Sequence, residues 1–85
     1  MRLVFTPHGW SDYLHWQSVE ATVKRINRLL ADTLRDPRTG IGKPEPLRHV
    51  LKGCWSRRID DEHRLVYLVQ DDDVVVLQAR YHYGS

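Results

Sequence analysis

Residues 62–83, EHRLVYLVQDDDVVVLQARYHY, decide the fold that the sequence predicts. Two apolar runs flank the acidic turn Asp71-Asp72-Asp73, a pattern that predicts a β-hairpin. Because the strands of a hairpin are antiparallel, the start of the first lies beside the end of the second. The hairpin therefore brings His63-Arg64 close to Arg80-Tyr81-His82-Tyr83. A guanidinium and an imidazole at one end of a sheet are suited to handling a phosphate.

Upstream of the hairpin the sequence predicts a short strand over residues 2–5 and then two helices. Thr6-Pro7 is typical of a helix start, with an N-cap threonine followed by proline at the first helical position. This helix is predicted to run over residues 7–17, with one apolar face made of Trp10, Tyr13, Leu14 and Gln17. Ser18 is the expected N-cap of the second helix, which ends at Asp36-Pro37. Its apolar face recurs at spacings of three and four: Val19, Val23, Ile26, Leu29, Leu30 and Thr33.

The middle of the chain predicts a loop followed by strands. Residues 38–46, RTGIGKPEP, contain two glycines and two prolines and form the loop. Residues 47–51 are expected to be extended, Lys52-Gly53 to turn, and residues 55–59 to form a strand. The resulting order β-α-α-β-β-β predicts an α+β domain spanning residues 1–85. Both helices would pack on one face of a mostly antiparallel sheet.

Composition limits the class of protein. The 85 residues contain one cysteine, Cys54, which excludes an internal disulfide and favours a reducing, cytoplasmic location. No apolar run approaches the ~20 residues of a membrane-spanning helix. A chain of this size buries only about two-thirds of its unfolded surface, so its aromatic residues carry much of the core.

Charges of opposite sign are segregated, although the net charge is only +2. From Lys43 onward there are seven basic and seven acidic residues, and six of the acids lie in the turns at residues 60–62 and 71–73. The arginines at positions 57, 58, 64 and 80 fall on the predicted strands. A positive sheet surface of this kind suits an anionic polymer such as RNA. An ordinary solvated face with cross-strand ion pairs is the alternative.

Residues for metal-independent RNA cleavage are present. The reaction needs a base for the 2′-hydroxyl, a cation for the charge on phosphorus, and an acid for the departing 5′-oxygen. Glu45 lies between two prolines that restrict its backbone, Arg64 offers a planar permanent charge, and His82 titrates near neutrality. Tyr83 is suited to stack on a base or to bond a phosphate.

Each of these residues also has a structural alternative. Glu45 would then be a solvated loop charge, Arg64 would form a salt bridge with the 60–62 turn, and His82 would be a solvated terminal ring. Tyr83 would cap the core. Five basic residues are candidates for gripping the RNA backbone, or else for a solvated face: Lys43, Arg48, Lys52, Arg57 and Arg58. The histidines and Cys54 lack metal-site spacing, so neither a metal nor another cofactor is expected.

Five segments of the chain, in order, carry a family resemblance. They are Trp10-x-Asp12-Tyr13-x-x-Trp16, residues 42–47 (GKPEPL), residues 55–59 (WSRRI), residues 62–67 (EHRLVY) and residues 80–83 (RYHY). Together they closely resemble the YoeB family, toxins of type II toxin–antitoxin systems within the RelE/ParE superfamily. Gly84-Ser85 extend the chain beyond the tyrosine that usually ends such sequences.

The resemblance implies a RelE-like fold and an mRNA interferase, an endoribonuclease that cuts mRNA in the ribosomal A site and inhibits translation. It implies Glu45 as general base, Arg64 as phosphate stabiliser and His82 as general acid, with Tyr83 beside them. A YefM-type antitoxin would neutralise the protein, and a homodimer is a further expectation. The alternative is a module of the same fold that binds RNA, the ribosome or an antitoxin without cutting. Other toxins of the superfamily act on DNA gyrase.

Overall fold

The computed structural model describes residues 1–49 and 52–81, which form two helices and a five-stranded sheet. The elements are β1 (Arg2–Phe5), α1 (Pro7–His15), α2 (Glu20–Arg35), β2 (Glu45–Pro46), β3 (Cys54–Arg58), β4 (Arg64–Gln70) and β5 (Asp73–Gln78). The sheet order is β1-β5-β4-β3-β2; the β1–β5 pair is parallel and the other three pairs are antiparallel. The predicted α+β class is therefore confirmed. Within the described residues, neither helix is long and apolar enough to cross a membrane.

The predicted hairpin is formed by β4 and β5. The strands are antiparallel, with Gln70 opposite Asp73, so Asp73 begins β5 and does not belong to the turn. Asp71 adopts a left-handed backbone with φ of 53°, a conformation that aspartate tolerates better than most residues. The pairing slips by one residue near Val66, where β5 holds an extra residue and forms a bulge.

Both helices pack on one side of the sheet, which we call the helix-covered face. Its core joins α2 to the two central strands through Ile26, Leu29, Leu30, Leu65, Tyr67, Val74 and Val76. The opposite side, the helix-free face, has a smaller apolar cluster of Leu47, Cys54 and Val66. The apolar periodicity predicted for α2 is confirmed at its centre, whereas Val19 at its start is exposed.

The predicted apolar face of α1 is wrong in part, because the helix turns its smallest residue to the sheet. Trp10 and Leu14 are about half exposed, and the buried residues of α1 are Gly9 and Asp12. A Cβ at position 9 would overlap the carbonyl oxygen of Val76, so only glycine lets the helix approach β5 this closely. The N-cap prediction is confirmed, since the Thr6 hydroxyl accepts the Gly9 N–H at 3.0 Å.

Two other predictions differ from the structure. The N-cap of α2 is Val19, which makes no side-chain capping bond, and not Ser18. The expected extended stretch at residues 47–51 is replaced by an earlier two-residue strand, Glu45–Pro46, that pairs with β3. Arg48 and His49 then turn, while residues 50 and 51 lie outside the described part of the chain.

Candidate active site

The register of β2, β3 and β4 places Glu45 and Arg64 on the same face of the sheet. Glu45 is opposite Ser56, and Arg58, two residues along β3, is opposite Arg64. Directly opposite residues share a face, and so do residues two apart on one strand. Arg57, between them in sequence, is opposite the core residue Leu65 and points to the helices. Glu45, Arg58 and Arg64 therefore belong to the helix-free face.

The distance between Glu45 and Arg64 suits a shared phosphate. They are two strands and two residues apart, which corresponds to about 12 Å between their Cα atoms. Both side chains are long enough to meet a group bound between them. Glu45 is exposed, so its carboxylate is accessible to a ligand.

The loop that carries Glu45 is fastened to β3 on both sides. The Arg58 N–H donates to the Gly42 carbonyl at 2.6 Å, and the Leu47 N–H donates to the Cys54 carbonyl at 2.9 Å. Gly42 has a φ of 80°, and a Cβ there would press on Leu29 and on β3. The paired prolines thus act together with backbone hydrogen bonds to hold Glu45.

Arg64 is held by main-chain carbonyls. It is only 9% exposed, and its Nη1 donates to the Asp60 carbonyl at 2.9 Å and to the His63 carbonyl at 3.3 Å. Within the described part of the chain its partners are these carbonyls, and not the carboxylates of the 60–62 turn. The guanidinium therefore keeps its positive charge uncompensated by a direct carboxylate contact from that turn.

Arg57 was predicted to contact the RNA backbone, and the structure shows that this prediction is wrong. Its side chain is 0% exposed, and its guanidinium donates five hydrogen bonds. The acceptors are the Asp32 carboxylate, the Tyr67 hydroxyl and the carbonyls of Asp36, Thr39 and Ile41. Because every N–H of the side chain is used inside the protein, Arg57 cannot contact RNA. It ties the loop after α2 to the sheet.

The groups around Arg57 have shifted pKa values. The N–H of Ile41, then the guanidinia of Arg57 and Arg35, lower the pKa of Asp32 to about 2. Burial raises the pKa of the Tyr67 phenol, against the opposing effect of Arg57. On the helix-free face, burial raises the pKa of the Cys54 thiol, which disfavours the nucleophilic thiolate.

The other predicted cations are accessible. Lys43, Arg48, Lys52 and Arg58 are all exposed. Arg48 and Lys52 line one depression of about 330 Å³ beside Pro46, next to Glu45. Lys43 has a left-handed φ of 52° and directly precedes the Pro44-Glu45-Pro46 segment. Arg48 and Lys52 thus lie beside Pro46, Lys43 lies two residues before Glu45 in the sequence, and Arg58 lies opposite Arg64.

The chain beyond β5 is anchored by contacts that the sequence alone did not predict. The Ala79 N–H donates to the Asp12 carboxylate at 3.0 Å, and the Trp16 indole donates to the Ala79 carbonyl at 2.8 Å. The Tyr81 N–H donates to Nδ1 of His63 at 2.8 Å. Asp12 and Trp16 were visible only as parts of a family pattern, since nothing local in the sequence indicates contacts with a residue more than sixty positions away.

His82 and Tyr83, the predicted acid and its neighbour, lie outside the described residues. The structure brings together Glu45, Arg58 and Arg64, and it fixes the chain up to Tyr81 beside the start of β4. The Arg64 N–H donates to the Tyr81 carbonyl at 3.0 Å. The two ends of the hairpin thus meet as predicted.

Comparisons with known proteins agree on one family. A family model described as YoeB-like toxin of bacterial type II toxin–antitoxin system matches residues 5–83. Toxin YoeB of Streptomyces coelicolor is 63% identical over 84 residues, which cover 98% of this chain and 100% of that protein. Toxin YoeB of Escherichia coli K12 is 54% identical over the same share of both chains.

Solved structures give the same result. The YoeB/ParE toxin from Agrobacterium tumefaciens aligns with a TM-score of 0.92 at 45% identity, covering 98% of this chain and 100% of that one. A YoeB dimer and a YoeB–YefM complex from Staphylococcus aureus align with TM-scores of 0.89 and 0.86, each at 42% identity over 98% of both chains. The chain belongs to the YoeB family of toxins from bacterial type II toxin–antitoxin systems.

Proposed function

We propose that this toxin is a ribosome-dependent mRNA endoribonuclease, which cuts mRNA in the ribosomal A site and thereby inhibits translation in the cytoplasm. The observation that carries the proposal is the placement of Glu45 and Arg64 on one face, about 12 Å apart, a spacing that leaves room for a phosphate. A carboxylate base can start the attack of the RNA 2′-hydroxyl on the adjacent phosphate, and a fixed cation can stabilise the charge that develops on the phosphate oxygens. A module that only binds RNA needs the cation but not the carboxylate.

Each residue has a distinct role in the proposed reaction. Glu45 removes the proton of the 2′-hydroxyl, whose oxygen attacks phosphorus while the bond from phosphorus to the 5′-oxygen breaks. Arg64 stabilises the charge on the non-bridging oxygens. His82 gives its proton to the departing 5′-oxygen, and a 2′,3′-cyclic phosphate forms, which can open to a 3′-phosphate. Tyr83 contacts the phosphate or a neighbouring base.

Four exposed cations hold the RNA and ribosome backbone in this proposal: Lys43, Arg48, Lys52 and Arg58. Because Arg48 and Lys52 lie beside Pro46 and Arg58 lies opposite Arg64, they would guide the message across the catalytic groups. Their contacts with phosphates release counterions, so binding is expected to weaken as salt increases.

The proposed protein partner is a YefM-type antitoxin with an acidic, largely disordered segment that folds on the toxin. The solved YoeB–YefM complex from S. aureus supports this partner, and the solved YoeB dimer supports a homodimer of the present chain. We propose that residues 1–85 act as one domain in both assemblies.

The test is single-turnover cleavage of message on programmed ribosomes, with saturating protein, between pH 5 and 9. A base that must be ionised and an acid that must be protonated give a bell-shaped profile. Glu45→Gln should lower the rate by roughly 10²–10⁴-fold and remove the acid limb. His82→Gln should remove the alkaline limb. Arg64→Ala should slow cleavage at every pH, because a guanidinium does not titrate in this range.

Glu20→Gln is the matched control, since it makes the same chemical change on the exposed side of α2. It should leave rate and profile unchanged. A Glu45→Gln protein with the wild-type rate and profile would show that Glu45 is not the base. If the wild-type toxin binds ribosomes but the message stays intact, the protein is a binding module without nuclease activity.

A further inference from the structure

We propose that His63 is a positioning residue for the reaction, because its imidazole fixes the backbone of Tyr81, which directly precedes His82 in the sequence. This inference rests on the proposed function, in which His82 is the general acid. His63 itself makes no contact with the reacting atoms in this scheme. It acts through Tyr81, the last described residue before His82.

The backbone of Tyr81 has an unusual conformation. Its φ is 61°, in the left-handed region that residues with a Cβ rarely occupy. Such a conformation persists only when the surroundings hold it in place. Here the Tyr81 N–H donates to Nδ1 of His63 at 2.8 Å, and the Tyr81 carbonyl accepts the Arg64 N–H at 3.0 Å. Two adjacent residues of the β4 start therefore hold both backbone groups of Tyr81.

The acceptor for this N–H is a side chain, where a continued strand ladder would use a carbonyl. The ladder between β4 and β5 ends with Val66 opposite Gln78, so the tail leaves the sheet just before Tyr81. The imidazole is thus the side chain that holds the Tyr81 N–H after strand pairing stops, while the Arg64 N–H holds the Tyr81 carbonyl. Without it, the backbone conformation of Tyr81 would depend on the remaining contacts of the tail.

His63 is itself rigidly placed. It is 9% exposed, and its ring meets the Trp16 ring edge-on with centroids 4.8 Å apart. The backbone N–H of His63 donates to the Asp60 carboxylate at 2.7 Å. The Trp16 indole in turn donates to the Ala79 carbonyl at 2.8 Å. Both residues of this aromatic pair therefore hold the same tail, one at Ala79 and the other at Tyr81.

The chemistry of the contact predicts which substitutions keep it. Nδ1 accepts the Tyr81 N–H only in the tautomer that carries its proton on Nε2. Asparagine places an acceptor oxygen on Cγ, as histidine places Nδ1. Leucine has nearly the shape of asparagine but no acceptor. His63→Asn and His63→Leu thus differ mainly in the hydrogen bond under test.

The experiment measures two quantities on the full chain: single-turnover cleavage of message on programmed ribosomes, and hydrogen exchange of the Tyr81 amide. In His63→Leu we expect faster exchange at Tyr81 and cleavage slower by about 10²-fold, the order of effect that a misplacement of about 1 Å produces. In His63→Asn we expect protection at Tyr81 to return together with most of the rate. Rescue by asparagine separates positioning from a general packing role.

His15→Leu is the control. His15 also meets the Trp16 ring edge-on, with centroids 4.9 Å apart, but it is exposed and lies in α1. Removing it takes a similar ring from the same tryptophan without touching the Tyr81 contact. We expect wild-type cleavage and wild-type exchange at Tyr81.

Three results would overturn the proposal: wild-type cleavage by His63→Leu, no rescue by His63→Asn despite protection at Tyr81, or an equal loss in His15→Leu. If His63→Leu does not fold, His63→Gln replaces it. The acceptor oxygen of glutamine lies one bond further from the backbone than that of asparagine, so it should not restore the contact. Equal cleavage by His63→Gln and His63→Asn would count against the proposal. A wild-type toxin that leaves message intact would instead overturn the proposed function, while the exchange data would still report on the His63–Tyr81 contact.

Discussion

Arg57 and Arg58 are neighbours on β3, yet they belong to different environments. Arg57 faces the helices, is 0% exposed and donates five hydrogen bonds inside the protein. Arg58 faces the opposite side, is exposed and lies across from Arg64. The same side chain thus stabilises the fold on one face of the sheet and is available to a ligand on the other.

The acidic residues divide in the same way. Asp32, on α2, accepts hydrogen bonds from the Ile41 N–H and from the guanidinia of Arg57 and Arg35, and its pKa is lowered to about 2. A carboxylate so strongly stabilised as an anion is a poor base. Glu45, on the helix-free face, is exposed and held through its backbone, so its carboxylate is accessible for chemistry. Arg57 and Asp32 on the helix-covered face are thus bonded to each other inside the protein, whereas Glu45 and Arg58 on the helix-free face are exposed.

The largest expected effect is on stability, in Arg57→Leu. This change leaves Asp32 and three carbonyls without their buried partner, and breaking a buried ion pair in this way costs about 3–5 kcal/mol. The free energy of unfolding from urea denaturation, followed by tryptophan fluorescence, measures it. Arg58→Leu is the matched control, and as an exposed substitution it should change stability by only about 0.5 kcal/mol or less. Equal losses in the two variants would contradict the division between the faces.

A smaller loss is expected for Gly9→Ala, on the helix-covered side. Alanine favours a helix by ~1 kcal/mol over glycine, so local propensity alone predicts stabilisation. The new Cβ would, however, meet the Val76 carbonyl, a backbone group that cannot rotate away. Overpacking of this kind costs about 1–3 kcal/mol, and we expect net destabilisation in the same denaturation assay. Ser11→Ala, at an exposed position of α1, should be neutral or slightly stabilising.

Acid should weaken the Asp32 contacts in a defined window. The pKa of Asp32 is about 2 in the folded protein, below the ~3.9 of an unfolded aspartate. Its contribution to stability is therefore fully present above about pH 4 and is lost as the pH falls from about 4 towards 2. Asp32→Asn should be less stable than wild type at pH 7, and the difference should narrow across this window.

Asp73 provides the comparison for the acid experiment. Its pKa is also lowered, by the guanidinium of Arg2, but that arginine is largely exposed. Salt screens exposed ion pairs much more than buried ones. The stability difference between Asp73→Asn and wild type should therefore disappear in 1 M salt, whereas the Asp32→Asn difference should persist. Identical salt sensitivity would mean that Asp32 behaves as a surface residue.

Local pattern was enough to predict the hairpin, both helices and the strand that carries Arg57 and Arg58. Alternation, amphipathic spacing and the Thr6-Pro7 cap depend on neighbours within a few residues, so they can be read directly from the chain. The meeting of His63-Arg64 with the tail followed from antiparallel pairing alone. The resemblance supplied the roles of Glu45 and His82, which their local sequence left open.

Long-range geometry accounts for what the sequence did not predict. The sequence did not show whether Arg57 or Arg58 faces the helices, because the β3–β4 register decides which of the two is buried. Helix propensity alone disfavours glycine at position 9, and only the approach of the Val76 carbonyl shows why a glycine is required there. Asp12, Trp16 and His63 anchor the tail across 18 to 67 residues of chain, beyond the reach of any local pattern.

The smallest expected effect concerns Arg58 and the binding of RNA. If Arg58 contacts a phosphate, Arg58→Leu removes one counterion-releasing contact. The plot of log affinity for programmed ribosomes against log salt should then become shallower by about 0.7–0.9. Arg28→Leu removes the same charge from an exposed site on α2, away from the helix-free face, and should leave the slope as in wild type. Because both variants have the same net charge, a difference in slope reports position and not overall electrostatics. Equal slopes would show that Arg58, although accessible, does not grip the backbone, and that exposure on the helix-free face alone does not identify a binding residue.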